Sequence, residues 1–554
     1  MSLRSLSVIP KRLPLVARVA RTRHRRYATE APEQPPKPSE FGQPVFQSHP
    51  HLVLPNELTP GIPAEEYERR RKELMDALPD GSLVVAVAAP VKYMSGQIFY
   101  KYRQYSDFWY LSGFEEPESA FILGPSLPLP PQTPTNTHPE KSPSTPRGYT
   151  FHLFSSGKDS SREKWEGARS SHSAIPSLFN ASSAYPLASF APTLKSLLAS
   201  SSGHVYLSPP PPHNTSSRRS LSSRSPSLAS ALKSSKNLLA YLSSPLEKSK
   251  GEFDTVLEVI TGSGGARDRT RDLGPEVGKL RNVKSIWEVG VMKRAAEISG
   301  RAHAKTMRFA APNMPESSLA AHFEYMCALE GSQRPAYVPV VASGANALII
   351  HYTSNNHLVR EGEMLLVDAG CEYNGYASDI TRTYPLSKFT QAQADLYSAI
   401  LSVQKSLVAS CSQKEGLSLN ELHRRSVEGL RGELGRLGFN LGGKNSRGGN
   451  AGYGDLERVL YPHHLSHPIG IDLHESTHFD RNAPLKAGNV ITIEPGIYVP
   501  PSPIFPKHFH NMGIRIEDEV LVGEDSPTVL TASAPKEIVD VEGACQGLLG
   551  FEPY

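Results

Sequence analysis

The chain has 554 residues, with 59 Lys and Arg against 55 Asp and Glu, 48 prolines and four cysteines. That length exceeds what one hydrophobic core organises, so two domains with proline-rich appendages are expected. Eight of the basic residues and no acid fall within 1–27, and the 51 that remain face 55 acids, which excludes a basic nucleic-acid-binding body.

Residues 1–27 carry Arg4, Lys11, Arg18 and Arg25 at seven-residue intervals. They have the Arg-rich, Ser-containing, acid-free composition of a mitochondrial presequence. A Pro-rich linker follows at 28–56. "PAEEYERRRKELMDAL" then predicts an amphipathic helix, and "GSLVVAVAAP" a buried strand. "YRQYSDFWYLSGFEEPESAFILG", Tyr102–Gly124, is dense in aromatics and ends in another strand. Two stretches, 125–146 and 208–236, are too rich in proline and serine to pack and read as solvated inserts. Residues 57–270 are therefore expected to form one α/β domain interrupted twice. No apolar run reaches the length of a membrane span. Cys327, Cys371, Cys411 and Cys545 are too dispersed for a disulfide framework or a zinc ribbon.

The texture changes at Val283, where a second domain, 283–540, is expected, with a tail at 541–554. "SIWEVGVMKRAAEISGRAHAKTMRFA" and "ESSLAAHFEYMCALEG" have helical spacing, and two long helices are predicted at about 390–411 and 418–438. Between these pairs lies "LLVDAGCEYNGYASDITRTYP", Leu365–Pro385. Asn374-Gly375 is a strong signal for a two-residue type I′ hairpin turn, because both residues tolerate positive φ. That turn sets Tyr373 opposite Tyr376, and the register runs outward to Gly370 opposite Asp379 and Asp368 opposite Thr381. Asp368 and Asp379 then share a face as diagonal neighbours, roughly 7–8 Å apart at the backbone. Two carboxylates so placed repel unless a cation lies between them.

Two later segments repeat the pattern with glutamates. In "VITIEPGIY", Ile491 and Ile493 alternate with Thr492 and Glu494; in "MGIRIEDEV", Ile514 and Ile516 alternate with Arg515 and Glu517. The isoleucines are expected in the core and the carboxylates on the opposite face. His467, in "HHLSHPIGIDLHE", is a fifth candidate. Taken singly, an Asp near Asn-Gly is commonly a turn residue and a strand Glu commonly solvated. Taken together, four carboxylates and an imidazole suit a hard or borderline divalent ion, Mn²⁺ above a thiolate-seeking metal. Five ligands suit two bridged ions better than one closed tetrahedral site.

The segments "HYTSN", "DAGCEYNGYASDITRTYP", "LSHPIGIDLHE", "ITIEPGIY" and "GIRIEDEV" resemble, in order and spacing, those of the pita-bread (creatinase/aminopeptidase) metallopeptidases, and of aminopeptidase P most closely. "YRQYSDFWYLSGFEEPES" is similar to that family's N-terminal domain. The resemblance implies an N-terminal α/β domain before a C-terminal pita-bread catalytic domain. It implies that Asp368 binds one metal alone, that Asp379 and Glu517 bridge two, and that His467 and Glu494 complete the second site. A hydroxide between the ions would be the nucleophile and Glu494 its proton shuttle. His351 and His474 match positions that contact substrate and stabilise the oxyanion. His463 and Tyr498 match further site residues, and Arg515 would hold the carboxylates or substrate, or form a plain salt bridge.

A presequence on such a body resembles the mitochondrial intermediate-cleaving subgroup, similar to Xaa-Pro aminopeptidase 3. Its members trim one N-terminal residue from imported proteins after presequence cleavage, in the matrix or on the matrix face of the inner membrane. "RRY/A" at Arg25–Ala28 would present Tyr27 as such a residue. The alternatives are a conventional Xaa-Pro aminopeptidase and, as a different class, a noncatalytic binding protein of the same fold. The expected partners are peptide or protein N-termini and no nucleic acid. Peripheral membrane association and homo-oligomerisation are left open.

Overall fold

The computed structural model describes residues 35, 37–125, 148–208, 252–441, 456–550 and 552–553. The expected presequence with Tyr27 and Ala28, all but the first residue of each insert, and the Gly-rich stretch 442–455 lie outside the described residues. Among the described residues, no helix is long and apolar enough to cross a membrane.

The N-terminal half is built on a six-stranded mixed sheet. Its order is Thr270–Asp272, Val205–Leu207, Leu83–Val87, Ser119–Gly124, Thr150–Ser155 and Ser183–Pro186. Leu83–Val87 is apolar throughout because both of its faces are covered. Leu83, Val85 and Val87 pack with the helix Phe190–Ser200, through Leu194 and Leu198. Val84 and Ala86 pack with Tyr67 and Leu74 of the predicted helix, observed as Ala64–Ala77, and with Phe108 of the short helix Ser106–Ser112. That second layer does not stop at the domain edge: it continues into Val291, Met292, Tyr376, Ala377, Ile469 and Ile471 of the C-terminal half.

Helix Gly274–Asn282 leads from the sheet into Ile286–Phe309, which starts at a capping box between Ser285 and Glu288. Glu288 also accepts from the Tyr376 hydroxyl (2.9 Å), and Arg70 of the N-terminal half stands 3.5 Å from it. One buried carboxylate thereby joins a helix start, the N-terminal domain and the tip of the aspartate hairpin. The two long helices that follow the aspartate hairpin run Gln391–Ala409 and Leu419–Arg436, each capped by a hydroxyl, Thr390 or Ser418.

The aspartate hairpin holds its predicted register along its whole length. Asn374 and Gly375 turn at φ of 47° and 83°. Tyr373 faces Tyr376, Asp368 faces Thr381, and Met364 faces Pro385. The ladder is interrupted at Gly370 and Asp379, where the sequence suggests continuous strands. There the Asp379 N–H donates to the Glu519 carboxylate (2.6 Å), and the Gly370 carbonyl accepts from Ala336 N–H (2.9 Å). A Cβ on Gly370 would lie 1.8 Å from the Ser378 carbonyl oxygen. Gly370→Ala is therefore expected to force the hairpin apart at the level of Asp379. A loss of about 1–3 kcal/mol in stability and at least tenfold in affinity for divalent metal ions is anticipated, read by thermal melting and calorimetric titration.

Candidate active site

The glutamate segments pair as a second antiparallel hairpin. Val490–Ile493 faces Asp518–Leu521, and Gly496–Val499 faces Met512–Arg515. The register is shared across both pairs, Ile493 with Asp518 and Gly496 with Arg515, so Glu494 falls opposite Glu517. Ile491, Ile493, Ile514 and Ile516 are fully buried in the core that includes Leu396 and Leu430 of helices Gln391–Ala409 and Leu419–Arg436. The carboxylates take the other face, as alternation requires.

Three further pairings bring the donors to one place. The hairpins meet edge to edge, where Glu517 N–H donates to the Thr381 carbonyl (3.1 Å) and Thr383 Oγ1 to the Arg515 carbonyl (3.1 Å). Residues 465–469 run antiparallel along 490–494: Glu494 N–H donates to the Leu465 carbonyl, and Thr492 N–H to that of His467 (2.9 Å each). Tyr337 reaches across from the strand side and donates to Asp368 Oδ1 (2.5 Å) or Asp379 Oδ1 (2.6 Å), which puts the two aspartates on one hydroxyl.

The result is a compact donor set. One ligand atom each from Asp379, His467 and Glu517 lie within 4.8 Å of one another. His467 Nε2 stands 3.2 Å from Asp379 Oδ2 and 3.7 Å from Glu494 Oε1. His467 Nδ1 faces the Pro468 carbonyl at 3.1 Å, leaving Nε2 toward the carboxylates. Arg515 donates to Asp368 (2.5 Å), to Thr381 Oγ1 (3.0 Å) and to the Tyr498 hydroxyl (2.6 Å). Thr381 in turn donates to Glu517 (2.6 Å), and Thr492 to Glu494 (3.2 Å). Besides its ion pair with Asp368, Arg515 therefore serves two hydroxyls, those of Thr381 and Tyr498.

Charge is badly balanced without a cation. Burial, and then the charges of Asp379, Glu494 and Asp368, push the Glu517 carboxyl well above its usual range. Burial raises Glu494 to about 7, partly offset by His467 and Arg515. Burial also raises Asp368 against the pull of Arg515, whereas His467 holds Asp379 low and is itself raised in spite of its burial. Four carboxylates share one space, and Arg515 and His467 answer only part of their charge. The donors are oxygen and imidazole with no thiolate, so the set fits divalent ions of the hard or borderline kind.

The remaining predicted residues form the rim. His463 Nε2 meets the Tyr498 hydroxyl at 3.0 Å, and its Nδ1 lies 3.8 Å from Glu494 Oε2. Burial and the Arg515 charge lower His463 to about 3, and burial with the neighbouring His467 lowers His474 to about 4, so both are neutral imidazoles at pH 7. The His474 and His467 rings are 4.2 Å apart between centroids. His351 is exposed, in the turn that follows Gly344–Leu348.

Sequence reasoning missed Tyr337, Thr381, Thr492 and Glu519 as partners of the donors. For Glu519 the signal was present, two residues beyond Glu517 and so on the same strand face. Thr381 was legible as the cross-strand partner of Asp368. Tyr337 had no sequence signal, since its contact is made between elements 31 and 42 residues apart.

Residues 290–524 match the family model for metallopeptidase family M24, and residues 67–206 that for the aminopeptidase P N-terminal domain. Intermediate cleaving peptidase 55 of Saccharomyces cerevisiae is 36% identical over 511 residues, covering 92% of this chain and 89% of its own. Xaa-Pro aminopeptidase 3 of Homo sapiens is 33% identical, covering 97% and 98%. The crystal structure of Icp55 from Saccharomyces cerevisiae superposes with a TM-score of 0.69 at 33% identity, over 89% of this chain and 99% of that one. With an aminopeptidase P N-terminal fold set before two carboxylate-bearing hairpins and their histidine, the chain belongs to metallopeptidase family M24 and is a pita-bread hydrolase of peptide bonds that uses divalent metal ions.

Proposed function

We propose that this enzyme removes a single residue from the N-termini of imported mitochondrial proteins after presequence cleavage, in the matrix or on the matrix face of the inner membrane. The observation that carries the reading is the donor cluster of Asp379, His467 and Glu517, with Glu494 and Asp368 at its two ends. The likeness to intermediate cleaving peptidases over about nine-tenths of the chain supports the choice of substrate. Asp368 would hold one ion, Asp379 and Glu517 both, and His467 and Glu494 the other, with Mn²⁺ the best match to the donors. The ions, when bound, supply an activated water and positive charge for the developing oxyanion.

The chain's own groups do the rest. Glu494 lies between His467 and His463 and is placed to take a proton and pass it to the departing amine. His474, a neutral imidazole, and His351 can each donate a ring N–H to the substrate carbonyl oxygen. Tyr498, held by Arg515 and His463, fixes the wall against which the scissile peptide lies. Arg515 orients Asp368 and opposes the effect of burial on its carboxyl.

A peptide panel tests the proposal. Peptides beginning Tyr-Ala, Leu-Ser and Phe-Ala are expected to lose one residue at rates within about tenfold of Tyr-Pro, since one pocket contact discriminates by roughly that much. Turnover confined to peptides with proline second would assign a conventional Xaa-Pro aminopeptidase instead. In cells, loss of the enzyme is expected to lengthen mitochondrial N-termini by one bulky residue, read by N-terminal proteomics.

A further inference from the structure

The loop that carries His474 is held from outside the metal site, by a buried cluster shared between the two domains. Arg281, on helix Gly274–Asn282, is 4% exposed. Its Nη1 donates to Asp107 of the N-terminal domain (2.7 Å) and its Nη2 to Asp472 (2.6 Å). Its Nε and Nη2 take the two oxygens of Glu475 as a fork, at 2.9 and 2.7 Å. Asp472 and Glu475 flank His474 on either side in the chain.

The N-terminal domain adds its own grip on this loop. Ser106 Oγ donates to Asp472 Oδ1 (2.5 Å), and Arg103 Nη2 to the Ile471 carbonyl (2.8 Å). Lys284 donates to the Arg281 carbonyl (2.7 Å) and stands 3.8 Å from Glu475. A Cβ at Gly470 would lie within 2.9 Å of the Glu475 carboxyl, so the turn is packed down on that side chain. The other face of the turn ends at the metal donors. Glu475 N–H donates to the carbonyl of Pro468, next to His467 (2.9 Å), and the Gly470 carbonyl accepts from Ala377 N–H, two residues before Asp379 (2.9 Å).

We propose that Arg281 is a positioning residue for His474, and that it makes turnover depend on docking of the N-terminal domain. The proposal rests on the substrate role assigned above to His474. Burying the Arg281 guanidinium and the Lys284 ammonium among three carboxylates, with Arg103 3.5 Å from Asp472, is an expensive arrangement, and packing alone would be served better by apolar side chains. What the fork provides is direction: it fixes the backbone on both sides of His474, so that the ring stands beside His467 at the distance observed. A displacement near 1 Å at a group contacting the reacting carbonyl costs roughly a hundredfold in rate. Asp107 extends the same clamp to a helix of the other domain, so a shift in docking is transmitted to the ring.

The test is a double-mutant cycle on the full-length, Mn²⁺-loaded enzyme with a Tyr-Ala peptide. Arg281→Gln is expected to lower kcat roughly 10–100-fold with KM changed less than about threefold and the bound metal unchanged. Combined with His474→Gln, it is expected to cost no more than His474→Gln alone, because the ring it positions is gone. Arg281→Lys should rescue little, lacking the fork, and Asp107→Asn should fall between. Losses that multiply in the double variant, or an Arg281→Gln enzyme that loses metal while keeping wild-type kcat per loaded site, overturn the role of Arg281. A His474→Gln enzyme with wild-type kcat overturns the assignment of His474 itself, and this is read independently of any Arg281 variant. If Arg281→Gln does not fold, the same cycle on Asp107→Asn decides: non-multiplying losses support the clamp, and multiplying losses reject it.

Discussion

Replacing Glu517 with glutamine is expected to abolish turnover while leaving the metal-free protein as stable as the wild type, or more so. Glu517 is buried opposite Glu494 and accepts from Thr381. Burial and three neighbouring carboxylates raise its carboxyl far above the ordinary range. A raised carboxyl pKa has a definite sign. Below the unfolded-state pKa both states are protonated and nothing is lost; as pH rises past it, the folded protein keeps a proton the unfolded chain releases, and stability falls. Glutamine carries no such penalty at neutral pH and can still accept from Thr381. Catalysis moves the other way, because the cluster loses a charged donor shared with Asp379 and His467. A fall in kcat of roughly 10³-fold or more is the scale for losing an electrostatic element of a hydrolytic site. Melts of both proteins with and without Mn²⁺, and one assay, check this: Mn²⁺ should raise the melting temperature of the wild type and not of Glu517→Gln, with the metal-free order level or reversed. A metal-free Glu517→Gln protein well below wild type in melting temperature would show that the carboxylates are not in conflict.

Arg382→Met should have the largest effect on stability of any substitution on the hairpins. Arg382 and Asp518 are both 0% exposed and meet at 2.7 Å, with Lys536 at 2.5 Å on the other carboxylate oxygen. The same guanidinium donates to the carbonyls of Thr381, Glu517, Ala534 and Pro535, and so fastens the aspartate hairpin to the glutamate hairpin. Removing it takes from the buried Asp518 carboxylate its guanidinium partner, leaving Lys536, Gln404 and Thr531, and takes one donor from each of four carbonyls. The cost expected is about 3–5 kcal/mol, or roughly 10 °C in the melting temperature of a domain of this size. Asp518 is held far below its usual range by Arg382 and Lys536 in spite of burial. Its stabilisation is therefore present above the unfolded carboxyl pKa and fades as pH falls toward the folded one. Wild type should lose stability on acidification from neutral pH, and Arg382→Met should lose less, which denaturation midpoints at several pH values will show. The metal cluster should loosen as well, since Thr381 and Glu517 lie on either side of the lost contact.

These cases differ in how far the chain announces them. Asn374-Gly375 fixed the pairing of Asp368 with Thr381 because a two-residue turn leaves one register open, and both turn residues adopt the positive φ it demands. Strand alternation likewise sorted the four isoleucines inward and Glu494 and Glu517 outward. The meeting of Glu494 with Glu517 was not readable, because the connection from Val499 to Met512 is too long for turn chemistry to set a register. Nor was the interruption of the aspartate ladder, which depends on Glu519 and Ala336 supplying the bonds that Gly370 and Asp379 do not give each other.

The amino-acid order by itself determined the two-domain plan, the aspartate hairpin with its register, the faces on which the carboxylates stand and the chemical type of the donor set. Those are consequences of turn geometry, a period of two and charge, all of which act over a few residues. Only the tertiary structure decided that Thr381 lies against Glu517, that His467 runs beside Glu494, that one Tyr337 hydroxyl serves both aspartates and that Arg281 holds the His474 loop from another domain. These contacts join segments tens to hundreds of residues apart, where the deciding energies are burial and the pairing of charges that no local pattern encodes.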